Sequence, residues 1–376
     1  MKKMLFTLIV VLFLLPGYLF ADGMLFVDVE SAGIEVKATT QRAILWQRNG
    51  VWEIHITPVF TRNHAKSAWV VPFPVLFKVK TGSSDFFNQL ELLTAPLFVE
   101  ACVETNAGSG CNRNQGGGDS NITPTGGQSL VEIWDQGTVG ELDYVIISAQ
   151  TQAHIIDWLK SNGYQVTDLA KASLRKFEAD GTFFFAAKLS EDADPTKPVT
   201  PVRFILPELK EPVYPLVLTG LGVPTGASLE LTTWVISDDY YVPTSHGYGT
   251  LPEDIETSED YDNALRHFYL THRAGTMVMP YHYSLAFDDR INKMVHIGLL
   301  FTPFSSIGIQ APEKWCAEIE EIVAAESWLA RFQGRLGPVN MKTDLTFGPL
   351  PETAERVFPK NIYFKDTCED SGPCGQ

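Results

Sequence analysis

Apolar runs rich in β-branched and aromatic side chains over residues 43–47, 51–60 and 68–71 predict three strands. Arg48-Asn49-Gly50 between the first two runs is a hairpin signal, and Pro72 and Pro74 close the third because proline cannot donate to a ladder. A short helix is predicted over 86–93, with Ser84 or Asp85 as its cap. From 142 to 148 the pattern reads as a strand that runs into a helix over 151–161. Ile155, Ile156 and Leu159 share a face of that helix, and Asn162-Gly163 stops it. A second helix over 168–179 ends before Gly181, and 182–189 reads as a strand, so strand–helix–helix–strand makes one packed unit. An acidic, proline-rich connector, 190–201, leads to strands at 202–206, 213–219 and 228–237. After an irregular polar stretch to about Asp262 come a short helix and strands around 281–287 and 295–301. Pro312 then opens an amphipathic helix with Trp315, Ile319, Ile322 and Val323 on one face.

These elements predict an α+β fold with a strand-rich N-terminal part, the strand–helix–helix–strand unit and a C-terminal amphipathic helix. They divide the chain into a leader (1–21), a β-rich lobe (22–103), a flexible Gly-rich loop (104–128) and an α+β lobe (129–376) packed on the first, as one bilobed domain. The loop is built of Gly, Asn, Ser and Thr with almost nothing apolar, a length and composition that suit a lid or an insert.

The leader changes the compartment. Lys2 and Lys3 precede an apolar run from Met4 to Leu15, Pro16-Gly17 breaks it, and Ala21 stands before Asp22, the pattern of a secretory signal cleaved between Ala21 and Asp22. The run is shorter than the ~20 residues that span a bilayer, so the mature chain is expected in the periplasm or outside the cell without a transmembrane anchor. The whole chain has 29 Lys and Arg against 45 Asp and Glu, a net charge of −16, and loss of Lys2 and Lys3 with the leader makes it −18. That balance excludes a polyanion partner such as nucleic acid. Five cysteines in an oxidising compartment permit two local bridges, Cys102–Cys111 and Cys368–Cys374, leaving Cys316 as a free thiol on the amphipathic helix.

Several segments in order resemble a bacterial family of exported proteins, the domain of unknown function numbered 2330. They are Gln41-Arg42-Ala43-Ile44 with the hairpin, Ala68-Trp69-Val70-Val71-Pro72-Phe73-Pro74, and Asp157-Trp158-Leu159 with Asn162-Gly163-Tyr164. Glu211-Pro212-Val213-Tyr214-Pro215-Leu216 and Leu329-Ala330-Arg331-Phe332 followed by Leu336 continue the likeness, which extends to about Phe347. The Cys-Gly-Gly start that many members carry after the signal is missing. The resemblance implies a shared scaffold and brings no activity, cofactor or site.

Motifs that would carry chemistry are incomplete. Gly220-Leu221-Gly222 with Gly226 has its last glycine one position late for a dinucleotide fingerprint and Pro224 inside it, so a hairpin turn is expected there. Ser173-x-x-Lys176 and Lys80-Thr81-Gly82 stand in the wrong order for penicillin-recognising enzymes. Asp260-Tyr261-Asp262-Asn263 has alternating oxygen donors but neither the glycine turn nor the distal acid of a calcium loop. Residues 238–296 do stand out, concentrating tyrosine, histidine and acid, with Tyr240, Tyr241, His246, Tyr248 and His282 as candidate binding residues. Rings with polar tips offer large contact area at low entropic cost. The expectation is a monomeric, non-catalytic binding module for an envelope protein or glycan, with no cofactor and no metal. The alternative is an envelope-polymer hydrolase that draws histidine and carboxylates from the same region.

Overall fold

Successive side chains of strand β2 (Thr40–Arg48) fall into two different apolar clusters, Ala43 and Leu45 in one, Ile44 and Trp46 in the other. A strand turns consecutive side chains to opposite faces, so the sheet that holds β2 is covered on both. The computed structural model describes residues 24–26, 40–58, 68–100, 131–177, 181–194, 197–284, 312, 314–359 and 362–365. Across this sheet the strands are, in spatial order, Tyr248–Gly249 (β14), Met277–Ser284 (β15), Trp328–Leu336 (β16), Leu229–Ser237 (β12), β2, Val51–Ile56 (β3), Val202–Leu206 (β10) and Lys78–Thr81 (β5). A second sheet runs Met24–Phe26 (β1), Ala68–Phe73 (β4), Phe183–Leu189 (β9), Leu142–Ala149 (β8) and Val131–Val139 (β7), antiparallel throughout. Two small sheets complete the described part: Val213–Tyr214 (β11), Leu345–Pro349 (β17) and Tyr241–Pro243 (β13), and Ile362–Lys365 (β18) with Leu97–Glu100 (β6).

The two large sheets face each other. Leu45, Trp69, Phe185, Phe204 and Val235 lie in the cluster between them. Outside the larger sheet, Trp46, Trp234 and Leu329 pack under Phe86 and Leu90 of α1 (Ser84–Thr94) and Ile319 of α6 (Ala317–Ala324). Outside the smaller one, Val70, Ile147 and Phe184 pack under Ile155 and Leu159 of α2 (Gln152–Ser161) and Leu174 of α3 (Asp168–Leu174). The fold is therefore α+β in four layers, helix–sheet–sheet–helix, each interface formed by one parity of the strands between. The remaining helices are α4 (Leu216–Thr219) and α5 (Ser258–Thr271).

Where local chemistry decides, the expected elements form. Asn49 and Gly50 both take positive φ, 52° and 78°, the backbone of a two-residue hairpin turn that follows the strand twist. Gly163, at φ 84°, stops α2.

Elsewhere tertiary contacts correct the expectation. The cap of α1 is Ser83, whose Oγ accepts from the Phe86 N–H at 3.2 Å, rather than Ser84 or Asp85. The strand expected over 213–219 stops at Tyr214 because Pro215 cannot continue the ladder, and α4 follows. Gly220–Gly222 is a turn of 3₁₀ helix, not a hairpin turn. Helix α6 begins at Ala317, later than Pro312 suggested: Gln89 of α1 accepts from the Cys316 N–H at 2.8 Å and donates to the Lys314 carbonyl at 3.2 Å, capping α6 from outside. Cys316 is thus the residue before the helix, half-buried and free, and burial pushes its thiol up to about 12. The leader, Cys102, Cys111, Cys368, Cys374, the 104–128 loop, the 295–301 strand and the last part, 285–296, of the tyrosine- and histidine-rich stretch lie outside the described residues.

Candidate functional site

At the end of β12 the chain makes a tight turn. Ser237 Oγ donates to the Asp239 carbonyl at 2.7 Å, and Asp239 Oδ1 accepts from the Tyr240 N–H at 2.7 Å. The turn lays the Tyr240 ring on His282 of β15, with centroids 3.5 Å apart and planes 23° apart. Trp328 opens β16 and makes edge-to-face contacts with Tyr240 at 5.2 Å and with His282 at 5.8 Å. These three rings form a box in which the floor, His282, and Tyr240 are each 1% exposed and Trp328 is half-buried. Burial and the nearby Arg356 hold the His282 pKa down to about 3, so the floor is neutral. Asp239 stands at the rim, half-exposed.

Residues 350–359 leave β17 and cross this box. The Tyr240 carbonyl accepts from the Leu350 N–H at 2.7 Å, and its hydroxyl donates to the Val357 carbonyl. Arg356 places its guanidinium carbon 5.1 Å from the Trp328 ring centroid and 5.8 Å from that of Tyr240, within cation–π range. The same guanidinium donates to Asp239 Oδ1 at 3.2 Å.

Of the residues singled out in the sequence, the fold brings Tyr240 and His282 together and leaves the other three elsewhere. Tyr241 is buried in β13 with its ring edge-on to Trp52 at 5.3 Å. Tyr248 in β14 is half-buried and meets Phe332 at 6.4 Å. His246 is half-buried, tied to Ser245 Oγ at 2.8 Å and the Asn340 carbonyl at 3.0 Å. Sequence reasoning missed Trp328 and Arg356, which come from segments far along the chain.

A second polar cluster lies under α1. Arg203 of β10 sits directly across from His55 of β3 and donates from Nη2 to Glu53 Oε1 at 2.5 Å. His55 Nε2 is 3.6 Å from Glu53 Oε2, and neither ring nitrogen has a hydrogen-bond partner among the described residues. Burial lowers the His55 pKa. It works against the Glu53 charge too, but contacts to His55 and Arg203 outweigh it and hold that carboxyl low. At 1% and 4% exposure, His55 and Glu53 are sealed beneath Phe86 and Trp46 and cannot reach a substrate. The crevice beside α2, walled by Thr151, Gln152, Leu174 and Phe177, has no titratable lining residue.

Among the described residues no three His, Cys, Asp or Glu side chains gather as metal ligands. The alternating acids at 260–262 have a structural use, since Asp260 closes a capping box on Thr257 at the start of α5. No helix among the described residues is long and apolar enough to cross a membrane.

The family model described as "Uncharacterized protein conserved in bacteria (DUF2330)" matches residues 23–242, more than half of the 376-residue chain. The chain belongs to this family. The match takes in Asp239 and Tyr240 and ends before His282, Trp328 and Arg356, so the box straddles its boundary. It is also shorter than the likeness read from the sequence, and Leu329-Ala330-Arg331-Phe332 lies beyond it. No curated protein matches the chain, and no solved structure does.

Proposed function

We propose that this member of the family is exported, is cut between Ala21 and Asp22, and works in the periplasm or beyond as a non-catalytic binding module whose recognition site is the Tyr240–His282–Trp328–Asp239 box. The observation that carries the reading is the make-up of that box: aromatic faces, a carboxylate at the rim and a neutral histidine floor closed to solvent. Rings held rigid by packing supply contact area at small entropic cost, and such residues concentrate binding energy. General acid–base work needs a titrating group within reach of the substrate; the exposed carboxylate of the box, Asp239, is paired with Arg356, and His282, like His55 and Glu53, is buried. The partner is a component of the envelope, protein or glycan.

The mature chain, immobilised and exposed to envelope extract, should capture a specific component. A variant carrying Trp328→Ala and Asp239→Asn, shown to fold by circular dichroism, should recover at least tenfold less, about the loss of one central contact. Equal recovery by the variant would move the site elsewhere. Breakdown of an envelope polymer by the wild type and not by the variant would replace the binding module by a hydrolase.

A further inference from the structure

The box already contains a ligand, and it belongs to the chain itself. Arg356 is held as a bound guanidinium would be: two ring faces within cation–π reach and a carboxylate as acceptor. A planar cation stacks on rings and forks onto carboxylates better than the compact ammonium of lysine. The segment that carries it lies on the surface. Residues 351–358 are exposed, Arg356 and Asp239 are each about half-exposed at 50% and 51%, and Val357 and Phe358 stand 44% and 50% open. An ion pair so exposed is screened by water, and an exposed backbone with few buried contacts opens readily. Two hydrogen bonds keep the strap near, the Leu350 N–H on the Tyr240 carbonyl and the Tyr240 hydroxyl on Val357, and the Phe358 ring adds packing on Trp328 at 6.2 Å and on Tyr240 at 6.3 Å. A net charge of −16 adds a long-range attraction for cationic partners.

Resting on the binding-module reading, we infer that the Tyr240–Trp328–Asp239 box is the site for an arginine-bearing segment of a partner, and that the strap at residues 351–359 is its built-in competitor. Partner binding lifts Arg356 out and places a foreign guanidinium between the same rings and carboxylate. The docked strap reduces apparent affinity to the intrinsic value multiplied by the fraction of molecules in which the box is open. Release also frees Val357 and Phe358, already half-exposed, to lie along the incoming segment.

The experiment uses the full mature chain and, as probe, a synthetic peptide of its own residues 351–359, followed by tryptophan fluorescence and calorimetry. Arg356→Ala should bind the peptide saturably and about tenfold or more tightly than wild type, the scale of one partly desolvated cation–π contact. The same peptide with alanine in place of its arginine should bind neither protein. Adding Asp239→Asn to Arg356→Ala should weaken binding several-fold, and Arg356→Lys should fall between wild type and Arg356→Ala. Equal affinity for wild type and Arg356→Ala, binding indifferent to the peptide's arginine, or no binding to millimolar concentration would each overturn the inference. If that happened while wild type still captured its envelope component and the Trp328→Ala/Asp239→Asn variant did not, the ligand class would be wrong and the binding module would stand. Loss of both results would remove the box from either role.

Discussion

Exchange of Glu53 for alanine is expected to destabilise the chain by about 3 kcal/mol, the lower end of what removing one member of a buried ion pair costs. Glu53 is 4% exposed, and its Oε1 takes the Arg203 Nη2 donor at 2.5 Å. Without the carboxylate, Arg203 keeps a charge it cannot shed. The arginine side chain is 19% exposed, so water reaches part of it and holds the cost below that of a fully sealed charge. Arg203 also faces His55 across the ladder, and Phe86 of α1 packs on that histidine, so the disturbance spreads into the layer under α1. Urea midpoints at constant slope measure the effect. The double change Glu53→Leu with Arg203→Met removes both charges and should recover most of the loss, whereas a drop below about 1 kcal/mol for the alanine variant would mean the pair is exposed in solution.

Acid should begin to destabilise the chain below about pH 6.5, well above the ordinary carboxylate range. His282 has a folded pKa of about 3 against the 6.5 of a free histidine, because burial and Arg356 disfavour its charged form. Below about pH 6.5 the unfolded chain therefore binds the proton that the folded chain refuses. The stability His282 contributes is complete above that value and is lost at about 1.4 kcal/mol per pH unit as the pH falls toward 3. Between pH 6.5 and 4.5 this histidine alone should remove about 2–3 kcal/mol. His55, lowered by burial, acts in the same direction, and Glu53, held low against its own burial by His55 and Arg203, adds to the loss at lower pH. Asp344 opposes them, since burial raises its pKa and the folded chain then keeps a proton the unfolded one releases. Urea midpoints at pH 7 and 4.5 for wild type and His282→Gln give the histidine's share by difference. Equal slopes with pH for the two proteins would show that His282 is protonated in the folded state.

What the sequence revealed and what it hid follow from how local each decision is. The Asn49-Gly50 turn, the end of α2 at Asn162-Gly163 and the strand at Val202–Leu206 rest on backbone preference or short-range alternation, and all three form. Strand β7 escaped because residues 132–138 are exposed, so no buried face wrote an apolar period into them. Strand β16 was met only as a fragment of family resemblance, because Arg331 interrupts its apolar run. That arginine is 3% exposed and buried by its pairing with Glu91 of α1, a partner 240 residues away. The proposed site was legible in part for the same reason. Composition drew attention to Tyr240 and His282, but no local pattern says that Trp328 and Arg356 meet them, or that Tyr241 turns inward onto Trp52. Richness in tyrosine and histidine drew attention to this stretch, and strand register with the course of residues 350–359 assembles the proposed box.

The central claim is that recognition takes place in this box. It is tested most directly by two-dimensional spectra of the mature chain labelled at its tryptophan indole nitrogens, recorded as the captured envelope component is added. Trp328→Phe assigns one indole signal, and Trp134→Phe assigns that of Trp134, which is 45% exposed on β7 and serves as the control for an aromatic surface elsewhere. The account predicts a saturable shift of the Trp328 signal with Trp134 unmoved. A saturable shift confined to Trp134, with Trp328 unchanged, would contradict it and place recognition on the edge of the five-stranded sheet.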